Sequence, residues 1–277
     1  MPLVRTAELV RQGHAIAAFN VITVEHAEAI AAAAERSGLP AILQISHNAV
    51  RYHGGALRPI AAASAAVAET SSATLALHLD HVEDPELLRQ APDAGFSSAM
   101  FDAGALLYTD NVDATRAAAE WAHAHGLWLE AELGHVGGKP DAPASAHAPG
   151  VRTDPDEAAA YVAATGVDAL AVAVGSSHAM TERTAALDIE LIAKLRDAIP
   201  VPLVLHGASG VATDQLRAAI AAGIAKVNIG TALNAAFTAA LRAALEAGTS
   251  SDPRTYLAPA RAAMTEIVAE LLSVVSG

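Results

Sequence analysis

Eight times along the chain a short apolar run ends in a polar residue and is followed by a stretch with helical spacing. The runs lie at residues 15–19, 41–45, 74–79, 96–101, 127–133, 169–174, 202–205 and 225–229. Helical patterns follow over 24–37, to about 70, after Asp84-Pro85, and over 110–125. The later ones start near Asp154-Pro155 and cover 188–198, 213–222 and 232–247, with a last one over 255–272. Asp before Pro suits a helix start, since the carboxylate caps free N–H groups and Pro is pre-shaped for the first turn. Strands that alternate with helices must run parallel, joined by right-handed crossovers, and eight is the number that closes. The expectation is an α/β fold, a (β/α)8 (TIM) barrel forming a single domain over residues 1–277 with an extra C-terminal helix. A doubly wound open sheet usually has fewer strands and often a Gly-rich turn after the first, which Phe19-Asn20-Val21-Ile22 does not supply.

Composition narrows what such a barrel can do. The chain has 277 residues, 53% of them hydrophobic, enough for one large core. It has no Cys, so a transition-metal site has to use His and carboxylate, and a reducing compartment fits. The net charge of −13 opposes binding to a phosphate backbone, which sets nucleic acid aside as a partner. Met1-Pro2-Leu3-Val4-Arg5 does not read as a leader, and no stretch reaches the roughly 18 apolar residues of a membrane span. A soluble, cytoplasmic protein with no membrane partner is expected.

In a barrel of this kind the C-terminal ends of the strands form one rim, and polar groups there do chemistry. The third run makes the point: Leu75, Leu77 and Leu79 lie on one side, Ala76, His78 and Asp80 on the other, and Asp80-His81 leaves its tip. The rim set is Asn20, Ser46, Asp80, His81, Asp102, Glu132, His178, His206 and Asn228. His81, His178 and His206 are three imidazoles at strand exits, the ligand number that holds zinc and leaves a position open. His14, His26, His123, His125 and His147 lack that placement and read as exposed or capping residues. His206-Gly207-Ala208-Ser209-Gly210 and Asn228-Ile229-Gly230-Thr231 follow the last two strands, where backbone N–H groups at a helix start commonly bind phosphate.

With these residues in hand, the chain resembles the class II, zinc-dependent fructose-bisphosphate aldolase family, which includes tagatose-bisphosphate and 6-phospho-5-dehydro-2-deoxygluconate aldolases. The resemblance rests on Ala18-Phe19-Asn20-Val21, His78-Leu79-Asp80-His81, Glu130-Ala131-Glu132-Leu133-Gly134 with Gly137-Gly138, Val167-Asp168 through His178, residues 202–210 and Lys226-Val227-Asn228-Ile229. It implies a metal-dependent aldolase that splits a phosphorylated ketose into dihydroxyacetone phosphate and an aldehyde. It further implies Zn2+ on His81, His178 and His206, with Asp102 and Glu132 as nearby carboxylates able to hold metal. Asp80 would move the proton at the C4 oxygen and Asn228 would hydrogen-bond the enediolate. Substrate and phosphate would meet Asn20, Ser46, Ala179, Gly207, Ser209, Gly230 and Thr231, where a monovalent cation (Na+ or K+) often assists. Relatives are homodimers or homotetramers, so a homo-oligomer is expected.

The chain departs from the family pattern at four places. Lys139-Pro140-Asp141 follows the two glycines where acidic residues are common, which leaves Asp141 to exchange the C3 proton. Ala179 replaces the usual Gly after the second histidine. Gly230 and Asn234 stand where bisphosphate members carry Asp and a basic residue, which weakens the case for a second phosphate and sets 6-phospho-5-dehydro-2-deoxygluconate beside fructose and tagatose 1,6-bisphosphate as the substrate. A catalytically silent sugar-phosphate-binding barrel is the alternative.

Overall fold

The computed structural model describes residues 3–10, 13–134, 152–178, 180 and 182–276. Eight strands close into a barrel in chain order: β1 (Ile16–Asn20), β2 (Ala41–Ser46), β3 (Leu75–Val82), β4 (Ser98–Phe101), β5 (Trp128–Leu133), β6 (Ala169–Val172), β7 (Leu203–Leu205) and β8 (Ile224–Ile229). All neighbours are parallel, and β8 pairs with β1 to close the ring. The helices are α1 (Thr6–Val10), α2 (Val24–Ser37), α3 (His47–Tyr52), α4 (Leu57–Thr70), α5 (Pro85–Arg89), α6 (Tyr108–Ala124), α7 (Pro155–Thr165), α8 (Ile189–Ala198), α9 (Thr213–Ala222), α10 (Thr231–Ala247) and α11 (Arg254–Ser276). This is the (β/α)8 barrel with a C-terminal helix that the alternation implies.

Local chemistry explains the helix starts. Asp84 caps α5 by accepting from the Glu86 N–H, and Asp154 caps α7 from Asp156 and Glu157, each with Pro at the first position. Two helices fall outside the sequence expectation: α1, and α3, whose C-terminal part lies where a Gly-bearing loop was expected. Ser46 starts α3 by accepting from Ala49 N–H at 3.2 Å. Strand β6 stops at Val172, two residues early, because Ala173 exchanges hydrogen bonds with Thr153 and Val174 accepts from Asp188 instead of continuing the ladder.

Strand alternation divides the interior in two. Phe19, Leu43, Ile45, Leu75, Leu77 and Leu79 join the large apolar cluster shared with the surrounding helices. Their neighbours Ile16, Ala18, Ile42, Ala76, Trp128, Ala171 and Val204 form a second cluster, which Leu9 and Val10 of α1 complete. Further along the same faces stand Gln44, His78, Asp80, Glu130, Glu132, Lys226 and Asn228, all buried. The second cluster's faces thus run from apolar to charged toward the C-terminal ends of the strands.

Candidate active site

That charged end opens into a cavity of about 800 Å3. Asn20, Ser46, Asp80, His81, Asp102, Glu132, His178, Gly207, Ser209, Asn228, Gly230 and Thr231 all line it, and His206 lies fully buried at its base. Asp141 and Ala179 lie outside the described residues.

Asp80 and His81 both reach this cavity although adjacent strand residues ordinarily face opposite sides. The reason is a local break in β3. Its register against β4 shifts between Leu79 and Val82, and His81 takes a φ of +49°, the one positive value outside glycine among the described residues. A bulge of this kind turns a side chain that would have pointed outward back toward the mouth. It costs on the order of 1–2 kcal/mol, since a left-handed conformation crowds Cβ against the backbone.

The three histidines converge. Ring centroids are 4.9 Å apart for His81 and His206, 5.3 Å for His81 and His178, and 5.7 Å for His178 and His206. With Glu132 they present four donor atoms that all lie within 4.8 Å of one another. Three imidazoles and a carboxylate are a donor set that suits a divalent first-row ion, and all four donors gather around one point. The described residues therefore fit a metal.

Carboxylates surround the rings. His81 Nδ1 lies 2.8 Å from Asp102 Oδ2, and its Nε2 lies 3.9 Å from Asp80 Oδ2. Burial works against a charged His81, but the Asp80 charge and the Asp102 hydrogen bond outweigh it and raise its pKa above the ordinary histidine value. His206 is bonded on both sides, Nδ1 to Glu132 Oε2 at 2.8 Å and Nε2 to Glu130 Oε1 at 2.9 Å. Burial again opposes the charge, and the two carboxylate bonds overcome it, lifting His206 to about 9. His78 goes the other way. Burial, reinforced by the Lys226 charge, keeps its pKa well below the ordinary value, so it stays neutral with Nδ1 against Ser98 Oγ at 2.8 Å.

Directly after His206, Gly207 begins a short turn in the left-handed region, with φ +69°. Ser209 Oγ accepts from the Ala232 N–H at 3.1 Å, which ties this turn to the first residues of α10. Gly207, Ser209, Gly230 and Thr231 thus line the cavity at a helix N-terminus, an electropositive place for an anion. His26, expected to be exposed or capping, does cap α2, but it is buried. It stacks on Phe237 and bonds Asn234 Oδ1 at 3.2 Å.

Sequence reading did not single out Lys226 or Gln44. Lys226 is fully buried and donates to Glu130 Oε2 at 2.8 Å, Asn228 Oδ1 at 2.9 Å and Gln44 Oε1 at 3.3 Å. The available signal was a lone Lys two residues before Asn228 in an otherwise apolar strand, on the same face.

Fold and site together define a class: a (β/α)8 barrel enzyme whose C-terminal rim carries a cluster of three histidines and a carboxylate that could hold a divalent ion. The family model for class II fructose-bisphosphate aldolase matches residues 4–277. A fructose-bisphosphate aldolase of Geobacillus stearothermophilus is 38% identical over 264 residues, covering 94% of this chain and 91% of that protein. The YdjI aldolase of Escherichia coli K12 superposes with a TM-score of 0.80 at 30% identity, over 97% of this chain and 94% of that one. A candidate fructose-1,6-bisphosphate aldolase from Coccidioides immitis gives 0.86 at 30% identity, over 99% and 97%. The chain belongs to the class II fructose-bisphosphate aldolase family and is an aldolase, a carbon–carbon lyase.

Proposed function

We propose that this aldolase is metal-dependent and cleaves or forms a phosphorylated ketose, giving dihydroxyacetone phosphate and an aldehyde. The observation that carries the reading is the convergence of His81, His178, His206 and Glu132 within 4.8 Å, beside Asp80. Zn2+ is the ion we assign to the three histidines, with Glu132 and Asp102 as adjacent carboxylates. A divalent ion there would supply Lewis acidity to the ketose oxygens, stabilising the negative charge that develops as the C3–C4 bond breaks.

The remaining steps belong to side chains. Asp80 takes the C4 hydroxyl proton in cleavage and returns it to the aldehyde oxygen in condensation. Asn228 offers a neutral amide donor to the developing oxyanion. Gly207, Ser209, Gly230 and Thr231 seat the phosphate at the start of α10, with Na+ or K+ assisting, while Asn20, Ser46 and Ala179 complete the substrate contacts. Exchange of the C3 proton falls to Asp141. We read the whole chain as one catalytic domain that works in the cytoplasm as a homodimer or homotetramer.

Two features of the wall support a substrate with a single phosphate, such as 6-phospho-5-dehydro-2-deoxygluconate. Among the described residues that line the cavity, Arg51 is the one Lys or Arg, and Glu83 pairs with it at 2.8 Å. Asn234, where a base would sit in bisphosphate enzymes, is engaged by His26. The relative from Geobacillus supports fructose 1,6-bisphosphate instead. Dihydroxyacetone phosphate release from fructose 1,6-bisphosphate, tagatose 1,6-bisphosphate and the deoxygluconate, with and without chelator, separates these readings. A chelator-sensitive rate highest on the deoxygluconate is expected; bisphosphate rates higher by orders of magnitude would reject the single phosphate. No release from any of the three compounds would favour a sugar-phosphate-binding barrel.

A further inference from the structure

Three charged groups sit fully buried just below the cavity: Lys226, Glu130 and His206. Burying an ammonium and a carboxylate together rarely adds stability over apolar residues of the same shape, because both lose their hydration. Their arrangement explains why they are there. An ammonium has three hydrogens, and each of those of Lys226 has an acceptor: Glu130 Oε2, Asn228 Oδ1 and Gln44 Oε1. In each case the acceptor's other end reaches a residue of the site.

Through Asn228, the effect is on an amide. Lys226 draws the Oδ1 end downward, so the Nδ2 end is turned to the cavity, where it stands 3.5 Å from Asp80 Oδ1. An amide rotated by half a turn would instead set its oxygen against the Asp80 carboxylate. Through Gln44 the same logic reaches Asn20: Gln44 Nε2 donates to Asn20 Oδ1 at 3.0 Å, leaving the Asn20 amino group toward Gly230. Through Glu130 it reaches a ring. Glu130 Oε1 takes the Nε2 side of His206 at 2.9 Å, which turns the Nδ1 edge toward Glu132. A carboxylate behind a histidine commonly fixes the orientation of a metal-binding ring in this way.

We propose that Lys226 is the positioning residue of this site: from one buried ammonium it sets Asn228 and Asn20 as donors toward substrate and, through Glu130, fixes the face that His206 presents to a metal. The inference rests on the metal-dependent reading above and adds roles for Lys226, Glu130 and Gln44. It makes the hub act through other side chains, without touching the reacting atoms.

The test uses the full-length protein. Zn2+ affinity is measured by chelator competition, and kcat and KM on whichever phosphorylated ketose the wild type cleaves. Lys226→Met alone leaves Glu130 uncompensated, so the deciding variant is the neutral pair Lys226→Met with Glu130→Gln, whose folding is checked by circular dichroism. Expected is a 10–100-fold loss of Zn2+ affinity, as for other outer-shell partners, because the side chain introduced by Glu130→Gln carries no charge and, without Lys226, can turn either end to the ring. The freed amide should lower kcat by about 100-fold or more, with KM moving less. A folded neutral pair with wild-type affinity and kcat overturns the proposal. So does a crystal structure of the Zn2+-loaded wild type with the ion on Nε2 of His206, or with Asn228 Oδ1 turned to the cavity, and this readout needs no variant to fold. Should the wild type bind no metal and cleave nothing, the underlying functional reading fails instead.

Discussion

Gly207 and Gly166 share one backbone conformation, φ 69° and ψ 22°, in different surroundings. A Cβ at Gly166, the C-cap of α7, would meet nothing within 4 Å, whereas at Gly207 it would stand 2.5 Å from Ser177 O and 2.7 Å from Ser177 C. Replacing each by Ala therefore separates the cost of conformation from the cost of collision. The left-handed conformation costs about 1–2 kcal/mol, partly offset by about 0.4–1 kcal/mol of lost freedom in the unfolded chain. Gly166→Ala should then lose about 0–1.6 kcal/mol by this balance. Gly207→Ala carries the same balance plus the collision with backbone, which cannot swing aside as a side chain does, worth typically about 1–3 kcal/mol more. Urea unfolding of the two variants measures the difference. Because Ser177 precedes His178, relief of the clash has to move a metal-ligand candidate, so Zn2+ affinity should fall in Gly207→Ala and stay at the wild-type level in Gly166→Ala. Equal stability losses, or unchanged Zn2+ affinity in Gly207→Ala, would refute the close packing of this loop.

Three further outcomes are expected. Zn2+ at about 1,000 times its Kd should stabilise the wild type by about 4 kcal/mol, and His81→Ala, His178→Ala and His206→Ala should each remove most of that gain together with the activity; thermal midpoints with and without metal read it. His26 has its pKa lowered chiefly by burial, against the pull of Asn234 and Glu25, so the unfolded chain binds its proton first and stability falls as pH drops below about 6.5. His26→Leu should show a smaller loss of urea midpoint between pH 7.5 and about 5.5, conditions chosen around the free-histidine pKa, and an undiminished loss would count against a buried neutral ring. Tyr161→Phe removes the hydroxyl that donates to Asn111 Oδ1 at 2.8 Å and lies 3.0 Å from Thr115 Oγ1, and should cost about 1–2 kcal/mol by denaturant titration with no change in KM.

Much of this architecture was legible in the sequence because it rests on periodicity. The eight apolar runs needed no tertiary information, and their polar ends named the rim before any barrel was closed. The short helices α1 and α3, of five and six residues, were missed because so few turns leave no periodic signature. Lys226 and Glu130 were harder for a different reason. Each is a charge at an inward position of a strand, and neither has its partner nearby in sequence. Only ring closure sets β8 across from β5, so the pair exists in the fold and nowhere in the local pattern.

The bulge at His81 shows why a site of this kind has to depart from regular strand geometry. A regular strand tip delivers one inward residue in every two, so a metal ligand and a proton carrier from the same strand would stand two residues apart and at different depths. At the break in β3, Asp80 and His81 instead enter at one level, with Oδ2 and Nε2 separated by 3.9 Å. The proposed proton carrier, Asp80, then sits beside the proposed ion site. Asp102 closes the arrangement by taking His81 Nδ1 at 2.8 Å, which fixes the ring that the unusual φ has turned inward. The conformational cost of about 1–2 kcal/mol at one residue is small against what the adjacency provides, since a misplacement of 1 Å between reacting groups can cost about 100-fold in rate.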